Sequence, residues 1–169
     1  VKDDFMRLSG LLVIALLAIA GCATPRESAA PATYVVRHFN TPAGERDPDL
    51  TAEGQRNAQL LARWFGRERP DAIFVSDFRR TRQTAAPLAA RYGITPLVYD
   101  PADTPGLIAR VRATPGQVLI VGHSNTVPDI VAGLGGARPA PLVHEDFGDI
   151  WRVERDGRTV RGRVETPQR

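Results

Sequence analysis

Thr33-Tyr34-Val35-Val36-Arg37-His38 decides the reading of this chain: an apolar run that ends on an arginine and a histidine. The pattern returns as Val118-Leu119-Ile120-Val121-Gly122-His123-Ser124. Short apolar runs rich in β-branched residues read as strands covered on both faces, the condition of a parallel sheet between helices. In such a sheet the C-terminal strand ends share one edge, and ligands bind in the crevice outside it. Two of the chain's three histidines thus stand at strand ends that can meet. The arginine beside the first points to an anion, phosphate above all, because a planar guanidinium offers paired donors to its oxygens.

Between and beyond these runs, strand and helix patterns alternate. Thr33–Val36 is the first strand. Residues 40–50, rich in Pro, Gly and Asp, form a loop that leads to a helix over Thr51–Arg67 with Thr51 as N-cap. Its Ala58, Leu61, Ala62 and Phe65 recur at helical spacing on one face. Ala72–Val75 is the second strand; Ser76 then caps a helix that runs to about Arg91 and ends at Gly93. Pro96–Tyr99 is a third strand, and Thr104-Pro105 opens a short helix, proline suiting its first position. Gln117–Val121 is the fourth strand and Thr126–Leu134 a helix. Asp149–Arg155 and Arg158–Val164 flank Asp156-Gly157, a hairpin signal. The expected fold class is α/β: a three-layer α/β/α sandwich with a mostly parallel sheet and an antiparallel hairpin at its edge.

The N-terminus reads differently. Leu11–Ala20 is an unbroken apolar stretch preceded by Arg7 and closed by Gly21-Cys22. It is short for a bilayer span and suits the centre of a secretory signal; an uncleaved anchor helix is the rival reading. Ile19-Ala20-Gly21-Cys22 resembles the lipobox of bacterial lipoproteins, in which cleavage leaves a lipidated cysteine at the new N-terminus. Cys22 is the one cysteine, so no intramolecular disulfide can form, and lipidation gives it a purpose. The expected organisation is a signal over 1–21, a lipidated tether over 22–32 and a domain over 33–169. That implies an envelope protein, membrane-associated through the lipid on Cys22, with outer-membrane sorting facing the periplasm. The formal net charge of +3 is too mild and dispersed to suggest nucleic acid as a partner.

Four motifs in order carry a resemblance. Arg37-His38 with Thr41, Leu50-Thr51-Ala52-Glu53-Gly54, Ser76-Asp77-Phe78-Arg79-Arg80-Thr81-Arg82-Gln83-Thr84-Ala85 and Gly122-His123-Ser124 together resemble the histidine phosphatase superfamily, whose fold is the phosphoglycerate-mutase-like one. The family carries Arg-His after its first strand, Leu-Thr-x-x-Gly at its first long helix, a second arginine in a Ser-x-Leu-x-Arg-Ala-x-x-Thr-Ala segment, and a late Gly-His. Phe39 stands where many members have a small residue.

The resemblance implies a phosphatase that acts through a phosphohistidine on His38, with Arg37, Arg80 and His123 holding the phosphoryl group. Thr41, or Asn40, adds a hydrogen bond. The residue types suit the chemistry: imidazole attacks phosphorus, and phosphoryl transfer is mainly positioning and neutralisation of oxygens. No metal or other cofactor is needed. Substrates are expected among phosphomonoesters or phosphoramidates, on a small molecule or a phosphoprotein. Some branches of the family place an acid immediately after the second histidine, where this chain has Ser124, and others a glutamate after the second-arginine helix. Asp103, with Asp100 as its neighbour and rival, is the expected proton donor to the leaving group. His144 reads as a surface residue, and Arg79 and Arg82 as solvated charges. The alternative reading is a non-catalytic anion-binding lipoprotein with a degenerate pocket, suggested by Phe39 and the missing acid.

Overall fold

Apolar runs become a sheet sandwiched between two pairs of helices. The computed structural model describes residues 31–66 and 68–164. The expected signal segment and Cys22 lie outside them, and no helix among the described residues is long and apolar enough to cross a membrane. Six strands are ordered β3-β2-β4-β1-β5-β6: β1 (Ala32–Arg37), β2 (Ala72–Ser76), β3 (Leu97–Tyr99), β4 (Val118–Gly122), β5 (Asp149–Glu154) and β6 (Thr159–Arg163). The pairs β1–β4, β2–β4 and β2–β3 are parallel; β5 runs antiparallel to β1 and carries β6 as the outer arm of the expected hairpin. β1 begins one residue before the expected boundary, with Ala32 already paired to Glu154.

Strand alternation distributes the apolar side chains between two cores. Tyr34, Val36, Ile73, Val75, Leu119 and Val121 face α1 (Ala52–Trp64) and α2 (Arg79–Tyr92), where Ala58, Leu61, Phe65 and Leu88 meet them. Val35, Phe74, Val118 and Ile120 face α3 (Thr104–Ala113) and α4 (Val127–Gly133), against Leu107, Val111, Ile130 and Val131. Burying each such Leu, Ile or Val stabilises the fold by about 1.5–3 kcal/mol. Central strands need apolar side chains on both faces, which is why β2 and β4 read as unbroken runs.

Helix ends follow local chemistry with two differences from expectation. Thr51 caps α1 as expected, its hydroxyl accepting from Gly54 N at 3.1 Å. The helix stops at Trp64 because Phe65 turns into the core against the Tyr34 ring, 5.0 Å away, and Gly66 takes a left-handed conformation. Ser76 is not the cap of α2. That helix begins at Arg79 after Phe78, which makes no side-chain capping bond. Gly93 ends it in the left-handed region, as expected. Both differences arise where tertiary packing overrides a local signal.

Candidate active site

Strand register brings the two distant histidines together. Arg37 and Gly122 are partners in the parallel β1–β4 ladder, and His38 N extends it by donating to Gly122 O at 2.9 Å. The residues one step beyond, His38 and His123, therefore lie side by side with ring centroids 5.4 Å apart. β2 runs beside β4 and ends at Ser76, so α2 starts over the same rim and delivers Arg80 from its first turn. Arg80 Nη2 stands 3.4 Å from His123 Nδ1.

Each guanidinium rests on a phenylalanine. Arg37 lies over Phe147 and Arg80 over Phe78, each 4.2 Å from the ring centroid. Phe147 also packs on His38 and Phe78 on His123. The aromatic faces hold the cations while drying their surroundings, which strengthens their pull on an anion. Arg37 is buried, and its Nη1 donates to the carbonyls of Val143 and Asp146, clipping the segment 143–147 over the site. Its Nε is buried without a hydrogen-bond partner, a donor to spare. Arg80 donates to Arg46 O and pairs with Asp47 at 3.3 Å.

The protonation of His38 follows from one contact. Its Nδ1 lies 2.9 Å from Phe39 O, and a carbonyl can only accept, so Nδ1 carries the hydrogen and Nε2 the lone pair. Burial pulls the ring down to about 3, with His123, Arg37 and Arg80 adding to it and the Phe39 carbonyl opposing. Burial likewise brings His123 to about 4, helped by Arg80 and Arg37 and opposed by Asp47. Both imidazoles are neutral near pH 7.

The rim opens as a cleft of about 240 Å³ lined by Arg37, His38, Thr41, Arg46, Arg80 and His144, with Glu45 in the same wall. A larger cavity of about 310 Å³ lies at the opposite end of the sheet, where Ala32 and Val118 begin their strands, and holds no histidine. The chemistry sits in the smaller one.

Of the residues expected at the site, Arg37, His38, Thr41, Arg80 and His123 converge. Asn40 does not join them: its Oδ1 accepts from Asn57 Nδ2 at 2.9 Å and its carbonyl from Thr51 N, which ties it to α1. Asp103 is corrected too. Its carboxylate caps α3, accepting from Gly106 N at 2.9 Å, exposed beyond the edge strand β3. Asp100 is also engaged, accepting from Ala102 N. Arg79 and Arg82 pair with Asp49 and Asp77 at the surface.

Phe39 is fully buried in the core against α1 and α2, pointing away from the cleft. Its N–H donates to Thr84 Oγ1, which itself donates to Arg80 O, so the motif threonine joins the His38 loop to the Arg80 helix. Gly54 has an equally concrete reason: a Cβ there would meet Asn40 O at 2.4 Å. The reading of the sequence missed Phe78, Phe147 and the carbonyls of the segment 143–147. It placed His144 at the surface, where it is exposed, but its ring also packs on Phe147 in the cleft wall. An aromatic two positions before a motif arginine was the one local hint, and it applied only to Phe78.

Residues 33–102 match the model of the histidine phosphatase superfamily (branch 1). The fold is similar to that of the protein histidine phosphatase SixA complexed with tungstate (TM-score 0.59, 18% identity, 78% of this chain and 94% of that one). It is similar as well to the mycobacterial glucosyl-3-phosphoglycerate phosphatase (TM-score 0.62, 16% identity, 79% and 98%). Among curated proteins, PE-PGRS family protein PE_PGRS11 of Mycobacterium tuberculosis is 43% identical over 72 residues, 37% of this chain; the chain spans only 12% of that relative's length.

Proposed function

We propose that this chain, whose residues 33–102 match the histidine phosphatase superfamily, hydrolyses a phosphomonoester or phosphoramidate through a phosphohistidine on His38. The observation that carries this reading is the Nδ1–Phe39 O contact, which leaves the lone pair on Nε2 of a ring that lines a cleft beside the Arg37 and Arg80 guanidiniums. Nε2 attacks phosphorus as the bond to the leaving group breaks, and that electron pair departs with the leaving atom. Water then attacks the phosphorus and passes one proton to a phosphoryl oxygen, the P–N bond breaks, and its electron pair returns to Nε2. Arg37 and Arg80 neutralise the equatorial oxygens, and His123 donates to one of them. Each such preorganised donor contributes about 3–4 kcal/mol to the transition state.

With Asp103 occupied as a helix cap, the leaving-group proton falls to the cleft wall, where Glu45 and His144 are the further titratable side chains. Leaving groups of low basicity, such as the imidazole of a phosphoramidate or an aryl oxide, need that help least. The SixA neighbour's tungstate, a tetrahedral oxyanion, is of the shape and charge that this cleft suits. The non-catalytic alternative loses one of its two supports with Phe39 turned into the core; the other, the missing acid, makes turnover the discriminating measurement.

The test is turnover of an aryl phosphate by the purified chain, with chelator present, beside His38→Ala. Activity that survives chelator and vanishes in the variant, with an acid-labile phosphoenzyme trapped in the wild type, is expected. Undiminished activity in His38→Ala overturns the assignment. Lipidation of Cys22 and a place in the bacterial envelope, at the outer membrane, are proposed from the lipobox-like segment; metabolic labelling with a fatty acid, lost in Cys22→Ser, tests them.

A further inference from the structure

We propose that Ser76 is a positioning residue that sets which ring nitrogen of His123 carries the hydrogen, through a hydroxyl relay ending at Thr81. The proposal deepens the reading above and rests on His123 as a donor to the phosphoryl group. Ser76, displaced from its expected capping role, is fully buried at the end of β2 with its Oγ 2.8 Å from His123 Nε2 and 3.1 Å from Thr81 Oγ1. Thr81, also fully buried, has one hydroxyl hydrogen, and the carbonyls of Ser76 and Phe78 stand at 2.9 and 2.8 Å to receive it. Towards Ser76, then, Thr81 only accepts. The hydrogen of Ser76 has two destinations: Thr81 Oγ1 or His123 Nε2.

The free site selects the first. A guanidinium has no acceptor, so His123 Nδ1, facing Arg80 Nη2, accepts there, and the ring hydrogen sits on Nε2. Nε2–H then donates to Ser76, and Ser76 donates to Thr81. Once an oxyanion engages the N–H groups of Arg80, Nδ1 serves the anion only as a donor. The hydrogen must then be on Nδ1, and Nε2 needs a donor. Ser76 supplies it by rotating its hydroxyl from Thr81 to Nε2, while Thr81 keeps its bonds to the carbonyls. One proton leaves Nε2 and one arrives at Nδ1 by exchange with solvent, so the ring stays neutral and the proton count is unchanged.

Neutrality is what the surroundings demand. Arg80 from α2, Arg37 and His38 from the end of β1, and Asp47 from the loop before α1 surround His123, and the cations outnumber the carboxylate. A donor that had to become a cation there would work against both guanidiniums; a hydroxyl that changes direction avoids that cost.

Nitrogen NMR of the His123 ring in the whole chain tests this, since the two tautomers have distinct Nδ1 and Nε2 shifts. The free wild type is expected as Nε2–H and, with saturating tungstate, as Nδ1–H. Thr81→Val removes the acceptor for Ser76 and is expected to favour Nδ1–H before any ligand is added. Ser76→Ala is expected to give a mixture of both forms. Different endpoints from two neighbouring hydroxyls, one tautomer in Thr81→Val and a mixture in Ser76→Ala, are not produced by loosened packing. Free wild type as Nδ1–H, or a tautomer unchanged by both substitutions, overturns the relay. So does tungstate that shifts His38 while leaving the His123 tautomer in place. None of these readouts needs turnover, so the relay stands or falls separately from hydrolysis.

Discussion

Arg37 and Gly122 face each other across the β1–β4 ladder, and that single pairing carries His38 and His123 to a ring separation of 5.4 Å. Shifting the register by one residue would move every side chain of β1 to the other face and separate the pair. The buried alternation of Tyr34 and Val36 against Val35 resists such a shift.

Arg80 is expected to be irreplaceable by lysine. It reaches His123 through Nη2 while Nη1 holds Arg46 O and Asp47, a geometry that one ammonium cannot reproduce. Arg80→Lys should lower kcat on an aryl phosphate by about 10²–10³-fold and weaken inhibition by tungstate. Steady-state kinetics with both variants, Lys and Ala, would show Lys recovering little of the loss.

The two histidines set an acid limit on stability. Both have folded values below the ordinary imidazole one, at about 3 and about 4. Between those values and about 6.5 the unfolded chain binds protons that the folded chain does not. Stability is therefore complete above about 6.5 and falls as pH drops towards 4 and then 3. Thermal melts should show a steeper decline over that range in the wild type than in His38→Asn. The nucleophile itself stays neutral, so kcat/KM should not collapse as pH passes through 6.5.

Gly54→Ala should damage a site that it does not touch. The added methyl would meet Asn40 O at 2.4 Å and push the loop that follows His38. A loss of about 1–3 kcal/mol in urea unfolding is expected, together with reduced turnover.

Asp103→Ala should separate a cap from a catalyst. Losing the bond to Gly106 N costs about 1 kcal/mol of stability. Turnover at a temperature well below the melting transition is expected to stay within about threefold of wild type, because the side chain is exposed and engaged at α3, outside the cleft wall. A loss of two orders of magnitude in kcat would return Asp103 to the chemistry.

Much of the molecule was legible because its signals are local. Unbroken apolar runs marked β2 and β4 as central, Thr51 and Gly93 marked helix ends, and Asp156-Gly157 marked the hairpin. Arg37, His38, Arg80 and His123 were found by motif and strand-end placement, and they converge. Asp103 misled because an acid after a strand looks alike whether it faces a substrate or caps the next helix. Phe39 misled for a related reason: the chain leaves β1 after Arg37, and beyond that point alternation no longer predicts direction.

By itself the sequence determined the α/β alternation, the apolar content of each strand and the residue types offered at each strand end, since these depend on neighbours a few positions apart. Only the tertiary structure decided that Phe147 and the carbonyls of Val143 and Asp146 hold Arg37, that Phe78 supports Arg80, and that Ser76 faces His123. Those contacts join segments far apart along the chain. Their free energy comes from burial and hydrogen bonding in the closed fold, which leaves no periodic trace in the sequence.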